Sequence, residues 1–245
     1  MADSFHRRVL ESNGARLAVL TTVMISIGAL VEIVPMYSEA LGPEPLEGVE
    51  PLTPLELAGR DIYIREGCYN CHSQMVRPFR DETLRYGPWT RAGELVYERP
   101  FQMGSRRIGP DLQRVGGKWG DDWHYNHMKN PRDTSPGSIM PNYPWLFDRK
   151  VDTEDVQASL TALQKLGTPY SDEDIANAGQ SMQEQGQGHV DFLAGKGITA
   201  EPDDEIIAMI AYLQHLGVDG RAAIEKQAAA ASDESPERSL AAAEE

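Results

Sequence analysis

Cysteine occurs twice in the 245-residue chain, and both copies fall within Cys68-Tyr69-Asn70-Cys71-His72. This C-x-x-C-H spacing is that of covalent c-type haem attachment: two thiols add across the porphyrin vinyl groups, and the adjoining imidazole reaches the iron. In a chain of this composition the pattern arises by chance about 4 times in 10,000, so the signal is specific. No cysteine is left over for a disulfide framework. A thioredoxin-like dithiol would need a βαβ context, whereas the flanks here read as helix and then loop. Zinc would need a second ligand pair, and His124 and His127 stand closer together in sequence than paired zinc histidines usually do.

An imidazole on one side of the iron leaves a sixth position. A Met or His there makes an electron carrier; an open position makes a ligand-binding or peroxidase site. Met140, in Gly137-Ser138-Ile139-Met140-Pro141, is the best-placed candidate. It follows a predicted helix, and Pro141 keeps its backbone extended so that the thioether can turn inward. Met75, Met103, Met128, Met182 and Met209 read as core or surface methionines. The turn Ile108-Gly109-Pro110-Asp111-Leu112 can lay a backbone carbonyl, that of Pro110, against the second nitrogen of His72 and so set its tautomer. His124 and His127 are expected to face solvent or water at the haem edge, and His189 and His215 to be ordinary surface residues. Arg77, Arg80, Arg85, Arg91, Arg99, Arg106 and Arg107 make the loop after the motif basic. That is a solvated face, with one or two guanidiniums available to a propionate or an acidic partner.

The elements that must carry these groups are mostly helical. From Leu17 to Val34 the only charge is Glu32, a run long enough to cross a bilayer. His6, Arg7, Arg8 and Arg16 precede it, whereas Ser38 to Gly59 holds five Glu and no Lys or Arg, which orients the N-terminus to the cytoplasm. Ser38-Glu39-Ala40 has the form of a signal cleavage site, but the apolar run is long for a signal peptide and favours a retained anchor. Glu32 is read as a headgroup-level carboxylate or a contact to a neighbouring membrane subunit. A Pro-, Gly- and Glu-rich stretch follows as an extended tether. Thr53-Pro54-Leu55-Glu56 is a capping box opening a helix that feeds Cys68. Ser73 to Gly120 reads mostly as loop. Asp121 is expected to cap a short helix through Met128, and Asp152 or Thr153 one striped by Val156, Leu160 and Leu163. Ser171 with Asp174 marks another start, and Pro202 to Glu205 opens a last helix bearing Ile206, Ile210 and Leu213.

The formal charge of −15 excludes a nucleic-acid binder and is unevenly spread. Residues 60–150 carry net +4, and residues 151–245 carry −14. From Arg221 the chain turns Ala-, Glu- and Ser-rich, with Ile224 and Leu240 isolated, as in a loose helix or a disordered tail.

The apolar anchor, C-Y-N-C-H-S-Q, R-Y-G-P-W-T-R-A-G-E, G-S-R-R-I-G-P-D-L, W-H-x-x-H-M-x-N-P-R and S-I-M-P-N-Y-P-W-L occur in this order. Over residues 15 to 170 they closely resemble the monohaem cytochrome c subunit, CcoO or FixO, of cbb3-type cytochrome c oxidases. The resemblance implies a mainly α protein: a single N-terminal transmembrane helix plus a class I-like cytochrome c domain with long loops. The implied organisation is a cytoplasmic N-terminus (1–16), a transmembrane helix (17–37), a tether (38–53), the cytochrome c domain with a C-terminal insertion (54–220) and an acidic low-complexity tail (221–245). The insertion falls at Gln180 to Thr199, outside the family pattern. As in cytochrome c folds, the Gly59/Tyr63 region should cross the last helix near Tyr212.

By the same resemblance one haem c is held by Cys68 and Cys71, with His72 and Met140 as axial ligands and Pro110 orienting His72. Electrons would pass from a dihaem cytochrome c subunit or a soluble cytochrome to the haem-copper catalytic subunit, where oxygen is reduced. The haem domain would lie on the periplasmic side of the bacterial inner membrane. A calcium ion shared with the catalytic subunit would be approached by the Gly93–Tyr97 turn, with Leu95 and Tyr97 offering backbone carbonyls. The cytochrome c subunit of a bacterial nitric oxide reductase and a membrane-tethered haem peroxidase are the alternatives.

Overall fold

The computed structural model describes residues 6–7, 12–36 and 43–241, with side chains described to residue 230, Met36 excepted. The chain divides into two units, residues 1–43 and 44–245. The expected cleavage site at Ser38-Glu39-Ala40, and Arg8 among the flanking basic residues, lie outside the described residues.

The first unit contains helix α1, Gly14–Met36. The side chain of Asn13 accepts from the backbone N–H of Arg16, satisfying one of the donors left open at a helix start. Gly14–Pro35 is long and apolar enough to cross a membrane, and none of it is buried within the protein. Leu20, Met24, Ile27 and Val31 therefore present apolar surface outward, as a lipid-facing helix does. Pro35 falls in the last turn, where the helix ends.

The second unit is built on helices α2 (Pro54–Arg65), α3 (Arg80–Tyr86), α4 (Asp121–Lys129), α5 (Pro131–Thr134), α6 (Thr153–Lys165), α7 (Asp172–Ala176), α8 (Ala178–Ala194), α9 (Glu205–His215) and α10 (Val218–Ala241). Local chemistry sets several starts. Thr53 and Glu56 form the reciprocal capping box of α2, Ser171 and Asp174 that of α7, and Asp152 caps α6. Asp121 is the first residue of α4 and Gly120 its cap, one position from the expected arrangement.

The core is the crossing of α2 and α9. Gly59 lies so close to α9 that a Cβ there would stand 2.0 Å from the carbonyl oxygen of Ala208 and 2.7 Å from the Cβ of Tyr212. One turn on, the rings of Tyr63 and Tyr212 meet edge to face at 5.5 Å. Leu55, Leu57, Ile206, Ile207 and Ile210 are fully buried around this contact. Each such side chain contributes roughly 1.5–3 kcal/mol of transfer free energy. Helix α8, formed by the segment read as an insertion, buries Met182 and Leu193. Its Gly186 sits where a Cβ would meet the carbonyl oxygen of Pro202 at 2.4 Å.

The stretch 73–120 is largely irregular, with only α3 and a single 3-10 turn at Ala92–Glu94. Alongside a few buried apolar side chains, Val76, Leu95 and Val115, shielded or half-shielded polar pairs hold it in place. Arg114 Nη2 donates to Glu94 Oε1 at 2.8 Å, and both side chains are almost wholly shielded. Arg107 Nη2 donates to Glu82 Oε2 at 2.7 Å, and Arg107 Nε donates to Ser73 Oγ at 2.8 Å. Arg99 donates to the Leu166 carbonyl. Several arginines of the basic loop are thus internal ties and not a free solvated face.

Two stretches at the domain's ends are packed. Leu46 N–H donates to the Gly93 carbonyl, Leu52 is buried, and Tyr170 donates to the Leu52 carbonyl at 2.7 Å, so residues 46–52 lie along the domain surface. At the other end α10 is continuous from Val218. Ala223 and Ile224 are buried, and Gly220 abuts Glu94 so closely that a Cβ would stand 2.0 Å from Oε2. Ile224, read as isolated, is part of the folded domain.

Candidate haem site

A cavity of about 800 Å³ is lined by Cys68, Cys71, His72, Pro110 and Met140, together with Tyr63, Met128, Tyr143 and Leu213. It lies within the range of sites that bury a large organic ligand.

The wall formed by the Cys68–His72 turn follows directly from the chain. Helix α2 ends at Arg65, Gly67 takes the left-handed conformation (φ 72°), and Cys68–Asn70 forms one 3-10 turn in which the N–H groups of Cys71 and His72 return to the Cys68 carbonyl. This tight turn sets both sulfurs and the imidazole on the cavity lining. His72 Nδ1 lies 2.8 Å from the Pro110 carbonyl oxygen. A carbonyl can only accept, so Nδ1 carries the proton and Nε2 offers its lone pair. Burial lowers the His72 pKa, with the Pro110 contact opposing, which favours the neutral imidazole that a metal requires. Burial also pushes the Cys68 thiol up to about 12, so the free thiol stays protonated.

The 108–112 turn is held against His72 from two directions. Gly109 N–H donates to the Cys71 carbonyl at 2.9 Å, and Leu112 N–H to that of Ser73 at 2.8 Å. Asp111 Oδ2 accepts from Ser73 Oγ at 2.6 Å and from Met75 N–H at 2.9 Å. A Cβ at Gly109 would collide with the His72 ring, so that position is a cradle only glycine can form.

The lining is continued by α4 and the loop after α5. Trp119, Trp123 and His127 stack in sequence, with centroid separations of 4.9 and 4.5 Å, and all three border the cavity. His127 Nδ1 lies 2.6 Å from Thr134 Oγ1. Of the two settings expected for His124, solvent and the haem edge, the structure excludes bulk solvent: it is 2% exposed on the inward face of α4 beside Met128, on the cavity lining. Burial pushes both His124 and His127 down to about 4. His189 is likewise no free surface residue: its Nδ1 lies 2.7 Å from Asp121 Oδ2.

These observations fit a haem. The donor set is two thiols, one oriented imidazole and one thioether around a single cavity, and the cradle shapes the imidazole wall. Leu95 and Tyr97 are not on this lining. They belong to a turn packed against residues 44–46 and α10, where the Leu95 carbonyl already accepts from Glu98 N–H. Among the described residues the carboxylates that cluster are Glu201, Asp203 and Asp204, and Lys150 Nζ pairs with all three. Sequence alone did not mark this cluster or the aromatic stack, although the W-H-x-x-H spacing places Trp123 and His127 on one helix face.

Residues 7–219 match the protein-family model described as cytochrome c oxidase, mono-heme subunit/FixO. The match runs past the motif-bearing residues through α9, and ends before Arg221. No curated protein matches the chain.

Proposed function

The chain belongs to the FixO family of mono-haem cytochrome c oxidase subunits, and on that premise we propose that it is the electron-transfer subunit of a cbb3-type oxidase, carrying one covalent haem c. Membership selects the oxidase subunit over the nitric oxide reductase and peroxidase alternatives. The observation that carries the reading is the convergence of Cys68, Cys71, His72 and Met140 on one cavity, with His72 Nδ1 committed to Pro110.

A bound haem would supply a one-electron iron couple. Cys68 and Cys71 would hold the macrocycle as thioethers, and His72, with Nδ1 committed to Pro110, would offer Nε2 to the iron. Met140, on the same cavity lining, would supply the second iron ligand, a soft sulfur that favours the reduced state and raises the potential. Pro110 and Gly109 hold the imidazole so that it keeps one orientation in both oxidation states. Tyr63, Met128 and Leu213 exclude water, which limits the rearrangement that opposes the electron.

Helix α1 anchors the subunit in the membrane alongside other oxidase subunits. In this reading its N-terminus is cytoplasmic and the haem domain lies on the periplasmic side of the bacterial inner membrane. Electrons arrive from a dihaem subunit or soluble cytochrome and leave to the haem-copper subunit. By family resemblance Leu95 and Tyr97 would offer carbonyls to a calcium ion shared with that subunit, the Leu95 oxygen in addition to the Glu98 N–H it accepts. Purification in mild detergent, with haem staining of the denatured chain and optical spectra of the complex, tests the reading. Covalent haem on this chain, with b-type haem and oxygen uptake in the complex, is expected; a chain without covalent haem would overturn it.

A further inference from the structure

We propose that Arg132 is a positioning residue for the axial thioether, bracketing Met140 so that its sulfur is presented to the cavity; the proposal rests on Met140 being the sixth ligand. Arg132 sits just inside α5, after Pro131. Its Nη2 donates to the backbone carbonyl of Met140 at 3.0 Å, while Nη1 donates to Asn142 Oδ1 at 2.7 Å and Asn130 Oδ1 at 3.3 Å. The planar guanidinium thus ties the α5 start to points at and just beyond the thioether residue, a fixed-fork geometry that an ammonium cannot reproduce.

Beyond the packing of the Met140 and Tyr143 side chains against the core, the loop has little other support. Gly137 has φ +81° with nothing near its Cβ position, and Ile139 is 79% exposed. Met140 N–H is satisfied only locally, by Ser138 Oγ at 3.2 Å. The flanking attachments are Thr134 to His127 on one side and Tyr143 N–H to the Met128 carbonyl at 3.0 Å on the other. Among the described residues, Arg132 is the side chain from outside the 135–143 loop that hydrogen-bonds the backbone of Met140. A weakly held loop releases its ligand more often, so these bonds should govern how frequently the sulfur leaves the iron.

The test is stopped-flow capture of added imidazole by the ferric full-length holoprotein in detergent, which requires Met140 to vacate the iron, with the Met–iron charge-transfer band recorded in parallel. Arg132→Ala should raise the capture rate about threefold to tenfold, the scale of charge-assisted hydrogen bonds discounted for exposure. It should also weaken the band on warming. Arg132→Lys should recover part of the effect, and Asn142→Ala, which removes one arm, should fall between. A capture rate for Arg132→Ala equal to wild type overturns the proposal. So does a rise matched by a general loss of thermal stability and absent from Asn142→Ala, because the effect would then be global. If Met140→Ala captures imidazole no faster than wild type, the ligand assignment itself fails, a distinct result.

Discussion

The backbone of Gly109 lies close against the imidazole of His72: a Cβ built there would stand 2.2 Å from Cε1 and 2.7 Å from each ring nitrogen. The approach is possible because glycine has no side chain, and it lets the next residue, Pro110, bring its carbonyl to Nδ1. Gly109→Ala should therefore push the ring or the turn aside at a cost of about 1–3 kcal/mol. Yield of covalent haem and the low-spin spectrum of the purified protein check this; an unaltered spectrum would mean that the turn can give way without disturbing His72.

Met140→Ala should abolish the Met–iron charge-transfer band and lower the midpoint potential, since a soft thioether favours ferrous iron. Covalent attachment through Cys68 and Cys71 should persist. Potentiometric titration with optical detection decides the matter, and an unchanged band would assign the sixth ligand elsewhere on the cavity wall.

Glu82 ties the loop after the haem motif through Arg107 and Arg77, and the Arg107 contact first, then Arg77, holds its pKa down at about 2, from an ordinary 4.5. A depressed carboxylate contributes its stability in full above the unfolded value, and loses it as pH falls from 4.5 towards 2. Glu82→Gln should lower the melting temperature at pH 7, and the difference from wild type should shrink across that acid window. A pH-independent difference would show that packing, not charge, is the cause.

Gly59→Ala places a methyl group into the carbonyl of Ala208 where α2 crosses α9. Separation of the helices should cost about 1–3 kcal/mol, although alanine is the better helix former in isolation. Thermal unfolding of the holoprotein measures it, and a stabilised variant would contradict the close crossing.

Ile224→Asp should destabilise the domain by about 1–3 kcal/mol, because this residue of α10 is 9% exposed and sits beside the Gly220–Glu94 contact. A neutral result in thermal unfolding would detach α10 from the fold.

The amino-acid sequence by itself determined what depends on neighbours along the chain. The Cys68-to-His72 turn, the capping boxes at Thr53 and Ser171, the apolar run of α1 and the α9 stripe are each written in a few consecutive residues, and spacing alone reveals them. The Pro110 turn was legible only in part: G-P-x-L is a weak signal by itself, and the 2.8 Å contact to His72 Nδ1 comes from the fold. Tertiary structure decided the rest. For His124 the sequence left solvent and the haem edge both open, and α4 turns that face inward to the cavity lining. Glu94 and Arg114 carry opposite charges 20 residues apart in an irregular loop, and only its path makes them a shielded pair. The grip of Arg132 on Met140 crosses a loop whose shape no periodicity encodes. Contacts of this kind depend on where loops return, and that is settled by the packing of the whole domain and not by any local preference.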